Sequence, residues 1–156
     1  MITLPADILK ALTLHFRLST IKEKHVRRMF IDEGKILHLP PLRHLIGKIN
    51  DSGVPVVCGG QKMEALIPNT VEASGEKHLP VVTVEDGAIN VNVGSVNHPM
   101  VPEHYIEWVY VQTENGGQRK ALKPGDDPNV SFSLGDDKAI AVYAYCNLHG
   151  LWMTEV

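Results

Sequence analysis

The chain has 156 residues, enough for one domain of ordinary size with a real core and room for a small appendage. A hydrophobic share of 44% and a charged share of 21% are those of a soluble globular protein, and no run approaches the roughly 20 apolar residues of a membrane helix. The net charge of −3 conceals an asymmetry: residues 1–50 carry nine Lys/Arg against four Asp/Glu, a balance of +5, whereas residues 51–156 carry six against fourteen, a balance of −8.

Residues 5–14 read as a short helix, with Pro5 at a first helical position, Asp7 near the positive end of the dipole, and Ile8, Leu9 and Leu12 on one stripe. Residues 15–31 continue as an amphipathic helix carrying Arg17, Lys22, Lys24, Arg27 and Arg28. Its charges read as a solvated face; no helix-turn-helix pattern or aromatic platform accompanies them, so nucleic acid is not an expected partner. The helix stops near Gly34. Pro40-Pro41 and Asn50-Asp51-Ser52-Gly53 then break the chain, and the stretch 35–62 reads as a small irregular module with short strands such as 54–57.

From residue 79 the pattern changes to strands. Segments 79–84 and 88–93 flank Glu85-Asp86-Gly87, a hairpin connection, and 105–112 and 118–122 flank Glu114-Asn115-Gly116-Gly117, another. A loop over 123–128 leads to strands at 130–134 and 138–145. About six or seven short strands without a helix between them predict a mainly β fold, an antiparallel sandwich of Greek-key type. The organisation expected is a helical segment over 1–34, a small module over 35–70 and the sandwich over 71–156. The N-terminus lacks the basic-then-apolar order of a signal peptide, so a cytoplasmic location is expected.

His78, His98, His104 and the pair Cys146-x-x-His149 all fall where predicted strands meet loops, the positions from which a rigid scaffold presents chemistry. A single histidine there is ordinarily a surface or satisfied imidazole; four in one domain with a Cys-x-x-His pair point to a metal. Structural zinc takes four ligands, so five donors are one too many. Blue copper takes two His and one Cys and would leave two histidines idle. Iron with four imidazoles and a thiolate uses all five and leaves a sixth position open. Cys58 and Cys146, in a chain without an export signal, suit ligand roles better than a disulfide.

Five stretches, in this order, resemble the superoxide reductases, the desulfoferrodoxin and neelaredoxin family: Glu76-Lys77-His78-Leu79-Pro80-Val81, Gly94-Ser95-Val96-Asn97-His98-Pro99-Met100, Glu103-His104-Tyr105-Ile106-Glu107-Trp108, Leu122-Lys123-Pro124-Gly125, and Tyr145-Cys146-Asn147-Leu148-His149-Gly150-Leu151-Trp152. The resemblance covers roughly residues 50–156 and implies an immunoglobulin-like β-sandwich with one mononuclear non-haem iron. It implies His78, His98, His104 and His149 as equatorial ligands and Cys146 as the axial one, with superoxide reduced by one electron to hydrogen peroxide. Lys77 would attract superoxide to the open position. Glu76 would be the carboxylate that occupies that position in the oxidised resting state. The backbone N–H groups of Leu148 and His149 are placed to donate to the Cys146 sulfur, and Trp152 to shield it from water. An external donor such as rubredoxin and a homo-oligomer, dimer or tetramer, complete the expectation. Weighed against it is an iron-dependent redox sensor or electron-transfer protein whose basic N-terminal helix docks a partner.

One segment departs from the pattern. Two-iron members of the family bind a second iron through a Cys-x-x-Cys pair and a later adjacent pair. Residues 48–63 resemble the segment with the adjacent pair, but Gly59 stands where its second cysteine would be, and the earlier pair falls near Leu39 and Leu42. One thiol of four cannot hold a thiolate iron, so the 35–70 module is expected to be metal-free. Glu23-Lys24-His25 repeats the tripeptide of the site without the following proline and strand, and is assigned no metal.

Overall fold

A computed structural model describes residues 36–40 and 43–156. The two helices expected before residue 32 lie outside these residues. Among the described residues no helix is long and apolar enough to cross a membrane.

Two antiparallel sheets face each other. The first contains β6 (Pro80–Glu85), β7 (Ala88–Val93) and β10 (Val130–Ser133) in the order β10-β7-β6; the second contains β8 (Ile106–Thr113), β9 (Gly116–Ala121), β11 (Ala139–Cys146) and β12 (Gly150–Glu155) in the order β12-β11-β8-β9. The chain crosses between sheets after β7, returns with β10 to pair with β7, and crosses again to lay β11 beside β8. This is the expected sandwich with its Greek-key crossings. The β6–β7 turn explains itself locally: Glu85 pairs with Ala88, and the two residues between, Asp86 and Gly87, have φ of 49° and 71°, the double left-handed geometry of a two-residue hairpin.

Alternation decides which side chains enter the core. On β7, Ile89, Val91 and Val93 are buried while Asn90 and Asn92 point to solvent. The inward set packs against Val109, Val111, Val142, Ala144 and Cys146 from the facing sheet, closed by Phe132. β11, in contrast, is buried on both faces. Its other side, with Trp108, Ile140, Tyr143 and Leu151, is covered by Ile36, Leu45 and Leu66 of the preceding module. Burying a large apolar side chain is worth about 1.5–3 kcal/mol, so this second layer makes the module a structural part of the sandwich.

The module itself is more regular than the sequence suggests. Strands β1 (Ile36–Leu39) and β2 (His44–Gly47), absent from the sequence reading, pair with each other, and β5 (Glu64–Ala65) joins β1 on its other side. The strand expected over 54–57 begins only at its last residue, as β3 (Val57–Cys58), which turns through Gly59 and Gly60 into β4 (Gln61–Lys62). Gly59 and Gly60 both have positive φ, 56° and 78°, which glycine adopts without penalty. Cys58 packs on a small apolar cluster of Leu37, Leu39 and Met63. The module is pinned to the sandwich by Asn69, whose side chain accepts from Met153 N–H and donates to its carbonyl while its own N–H bonds Leu151 O, capping the exposed edge of β12.

Candidate metal centre

Each candidate ligand is placed by a short-range device. His78 ends α1 (Gly75–His78), a single helical turn closed by the Leu79 N–H bonding Gly75 O before Pro80 starts β6. That turn lies directly on the backbone of 94–96: Val96 N–H and the Ser95 hydroxyl both donate to Glu76 O. A Cβ at Gly94 would overlap the Glu76 carbonyl, so the approach requires glycine. Gly94→Ala is therefore expected to displace α1 and destabilise the fold by about 1–3 kcal/mol, measurable as an earlier denaturation midpoint. His98 follows β7 in a turn closed by its own N–H to Val93 O, and His104 forms an isolated bridge with Val101 just before β8. Cys146 is the last residue of β11 and pairs with Gly150, leaving Asn147, Leu148 and His149 as the connection to β12. Gly150 supplies a positive φ of 68° there.

These devices bring all five together at one end of the sandwich. Adjacent imidazoles form a closed ring: His78 to His98 at 4.7 Å between centroids, His98 to His104 at 4.5 Å, His104 to His149 at 4.8 Å and His149 back to His78 at 4.7 Å, each pair steeply inclined at 75–83°. His78 faces His104 across the ring at 5.9 Å. The Cys146 sulfur lies 3.6 Å from His149 Nδ1, and the five donor atoms are all within 4.8 Å of one another.

Hydrogen bonds set which nitrogen faces inward. Nδ1 of His78 donates to Ser74 O at 2.7 Å and Nδ1 of His98 to Pro99 O at 2.6 Å, so each turns an Nε2 lone pair to the centre. His149 does the reverse and presents Nδ1, 2.9 Å from His78 Nε2. The Nε2 atoms of His98 and His104 are buried with no hydrogen-bond partner. A buried ring nitrogen without a partner is costly unless something else satisfies it. Protons cannot do so cheaply: burial lowers the His98 pKa to about 4, and burial, with repulsion from His149 and Lys77, lowers His78 and His104 as well. Burial raises the Cys146 thiol, opposed by the backbone N–H groups of Leu148 and His149 that donate to its sulfur. Neutral imidazoles with converging lone pairs and one desolvated thiol suit a metal cation. Five donors exceed a tetrahedral zinc or a blue-copper set; four nitrogens and a sulfur fit a single iron.

A Desulfoferrodoxin family model matches residues 70–155, more than half of the chain. The chain belongs to the desulfoferrodoxin family. A desulfoferrodoxin homologue of Archaeoglobus fulgidus is 44% identical over 99 residues, covering 64% of this chain and 78% of its own. A superoxide reductase of Pyrococcus abyssi is 38% identical over 100 residues, covering 53% and 87%. Among solved structures, the superoxide reductase from Treponema pallidum is 41% identical with a TM-score of 0.65, covering 77% of this chain and 98% of that one.

The desulfoferrodoxin cluster contains every histidine and cysteine expected of it, while His38 and His44, on β1 and β2, stay outside it. Glu76 and Lys77 stand exposed on α1, and the Lys77 charge is felt by both His78 and His104. Trp152 is buried; its ring stacks on His78 at 4.8 Å and 22°, and its indole N–H donates to His149 O. It thereby braces two candidate ligands. Ser74, Gly94 and Asn147 had no role in the sequence reading: Ser74 acts through its carbonyl, Gly94 through its lack of a Cβ, and Asn147 through bonds to residues more than forty positions away, none of which a residue pattern marks. Glu23-Lys24-His25 lies outside the described residues. A groove of about 870 Å³ between the 36–49 segment and β8–β9 includes none of the cluster, so cavity size is no guide to this chemistry.

Proposed function

We propose that this chain is a superoxide reductase, in which one superoxide, one electron and two protons give one hydrogen peroxide without release of dioxygen. What carries the reading is the closed ring of four neutral imidazoles with a buried thiol against it, two of whose inward nitrogens have no other partner. Iron, one per chain, would supply the electron when bound, and an external one-electron donor of the rubredoxin class would replace it. His78, His98, His104, His149 and Cys146 would hold the iron. The Leu148 and His149 N–H groups temper the donor strength of the sulfur. Lys77 draws the substrate anion toward the open side and holds negative charge as it develops. Glu76 is assigned the carboxylate that closes that side at rest and withdraws for substrate. Among the described residues the Glu76 side chain is exposed and forms no hydrogen bond or ion pair, which suits a group that must move.

The domain reading follows: residues 1–34 an accessory segment, 35–70 a metal-free remnant of a desulforedoxin-like unit, and 71–156 the iron-binding sandwich. Support comes from Cys58, which lies against Leu37, Leu39 and Met63 where a thiolate cluster would need further thiols. Cys58→Ser is expected to leave iron content unchanged by elemental analysis; a fall to half would overturn the assignment. A cytoplasmic homo-oligomer, dimer or tetramer, completes the proposal.

The direct test is reconstitution with iron. The oxidised protein should show a thiolate-to-iron charge-transfer band in the red, and the reduced protein, rapidly mixed with superoxide, should form one peroxide per superoxide with no dioxygen. A band without peroxide formation would indicate a redox sensor instead.

A further inference from the structure

We infer that Asn147 is a positioning residue that locks the His104 loop to the Cys146–His149 connection, so that three of the candidate ligands move as one body. The inference rests on the iron-site reading above. The ladder between β11 and β8 slips in register between Tyr145 and Cys146: Tyr145 is opposite Trp108, but Cys146 is opposite Ile106. Past this irregularity regular pairing ends, and the backbone that carries His104 would be left with unpaired groups. Asn147 supplies the missing pairs. Its N–H donates to Tyr105 O at 3.1 Å, its Oδ1 accepts the Tyr105 N–H at 2.9 Å, and its Nδ2 donates to Glu103 O at 3.0 Å. The side chain thus grips the peptide on both sides of His104, 42 and 44 residues away in sequence.

Only a carboxamide offers an acceptor and a donor together at this reach. Aspartate keeps the acceptor for Tyr105 N–H but turns a second oxygen toward the Glu103 carbonyl. Alanine loses the side-chain bonds to Tyr105 and Glu103, together with the long contact of 3.9 Å from the Cys146 sulfur to Oδ1, and keeps the backbone one. Since Asn147 immediately follows Cys146 and stands two residues before His149, loosening it frees His104 to drift relative to the sulfur and to His149. The donor atoms would still be present; their spacing would not be held.

The test compares Asn147→Ala and Asn147→Asp with the wild-type protein and with Phe132→Leu, a core substitution remote from the site that lowers stability without touching these loops. The readouts are the rate of iron loss to a chelator and the position of the thiolate-to-iron band. Asn147→Ala is expected to lose iron about tenfold faster than Phe132→Leu with a shifted band, and Asn147→Asp to fall between. If both Asn147 variants match Phe132→Leu in iron release and keep the wild-type band, the positioning role is wrong while the iron site stands. If the iron-loaded wild-type protein shows no such band, the iron-site reading fails and the role of Asn147 falls with it. Should Asn147→Ala fail to fold, the Asn147→Asp comparison decides alone.

Discussion

Cys146→Ser is expected to abolish the red charge-transfer band and to lower the rate of superoxide reduction at least about a hundredfold, since even outer partners of a metal ligand are worth 10–100-fold. The reason lies in the sulfur's surroundings. Cys146 is fully buried, and burial holds its thiol neutral, while two backbone N–H groups favour the thiolate once a cation stabilises it. A serine hydroxyl in the same place is a far weaker acid and stays protonated, so the site gains a neutral oxygen in place of an anionic sulfur. Iron binding to the wild-type protein should also release a proton from Cys146, detectable as acidification of a weakly buffered solution, and Cys146→Ser should not show it. A serine variant retaining both the band and the rate would remove Cys146 from the coordination set.

Lys77→Ala is expected to slow superoxide capture about tenfold at low salt and to flatten its dependence on ionic strength, with iron content unchanged. Lys77 is exposed, so its removal leaves no hole, yet its charge reaches His78 and His104. An exposed cation whose charge reaches the ring acts on a small anion mainly through approach. Its field falls off over a Debye length of about 10 Å at 0.1 M salt, which is why the two proteins should converge as salt is raised. Lys77→Arg should restore most of the rate. An unchanged low-salt rate in the alanine variant, measured by rapid mixing, would show that the lysine is a solvated surface residue.

Much of the sandwich was legible because its strands are specified by local alternation. On β7 the run Ala-Ile-Asn-Val-Asn-Val both declares a strand and says which face is inside. The strands that were missed depend on partners. Residues 150–155 are short and follow directly on a ligand loop, and they become β12 by pairing with β11; residues 36–39 and 44–47 become strands by pairing across the Pro40-Pro41 break. Likewise, the near-continuous hydrophobic run of β11 could not by itself say that its outer face meets Ile36, Leu45 and Leu66.

By itself the sequence named the five candidate donors. Cys146 and His149 belong to one tight connection, and His78, His98 and His104 each stand beside a strand end, so residue type and spacing were enough to name the five. Tertiary structure alone decided how they are arranged: the order His78, His98, His104, His149 around the ring, the stack of Trp152 on His78 and the grip of Asn147. The division has a physical cause. Identity and spacing are covalent properties of the chain, whereas the order around the ring, the Trp152 stack on His78 and the Asn147 bonds to the 103–105 backbone join segments far apart in sequence. Those contacts exist only after the two sheets have closed.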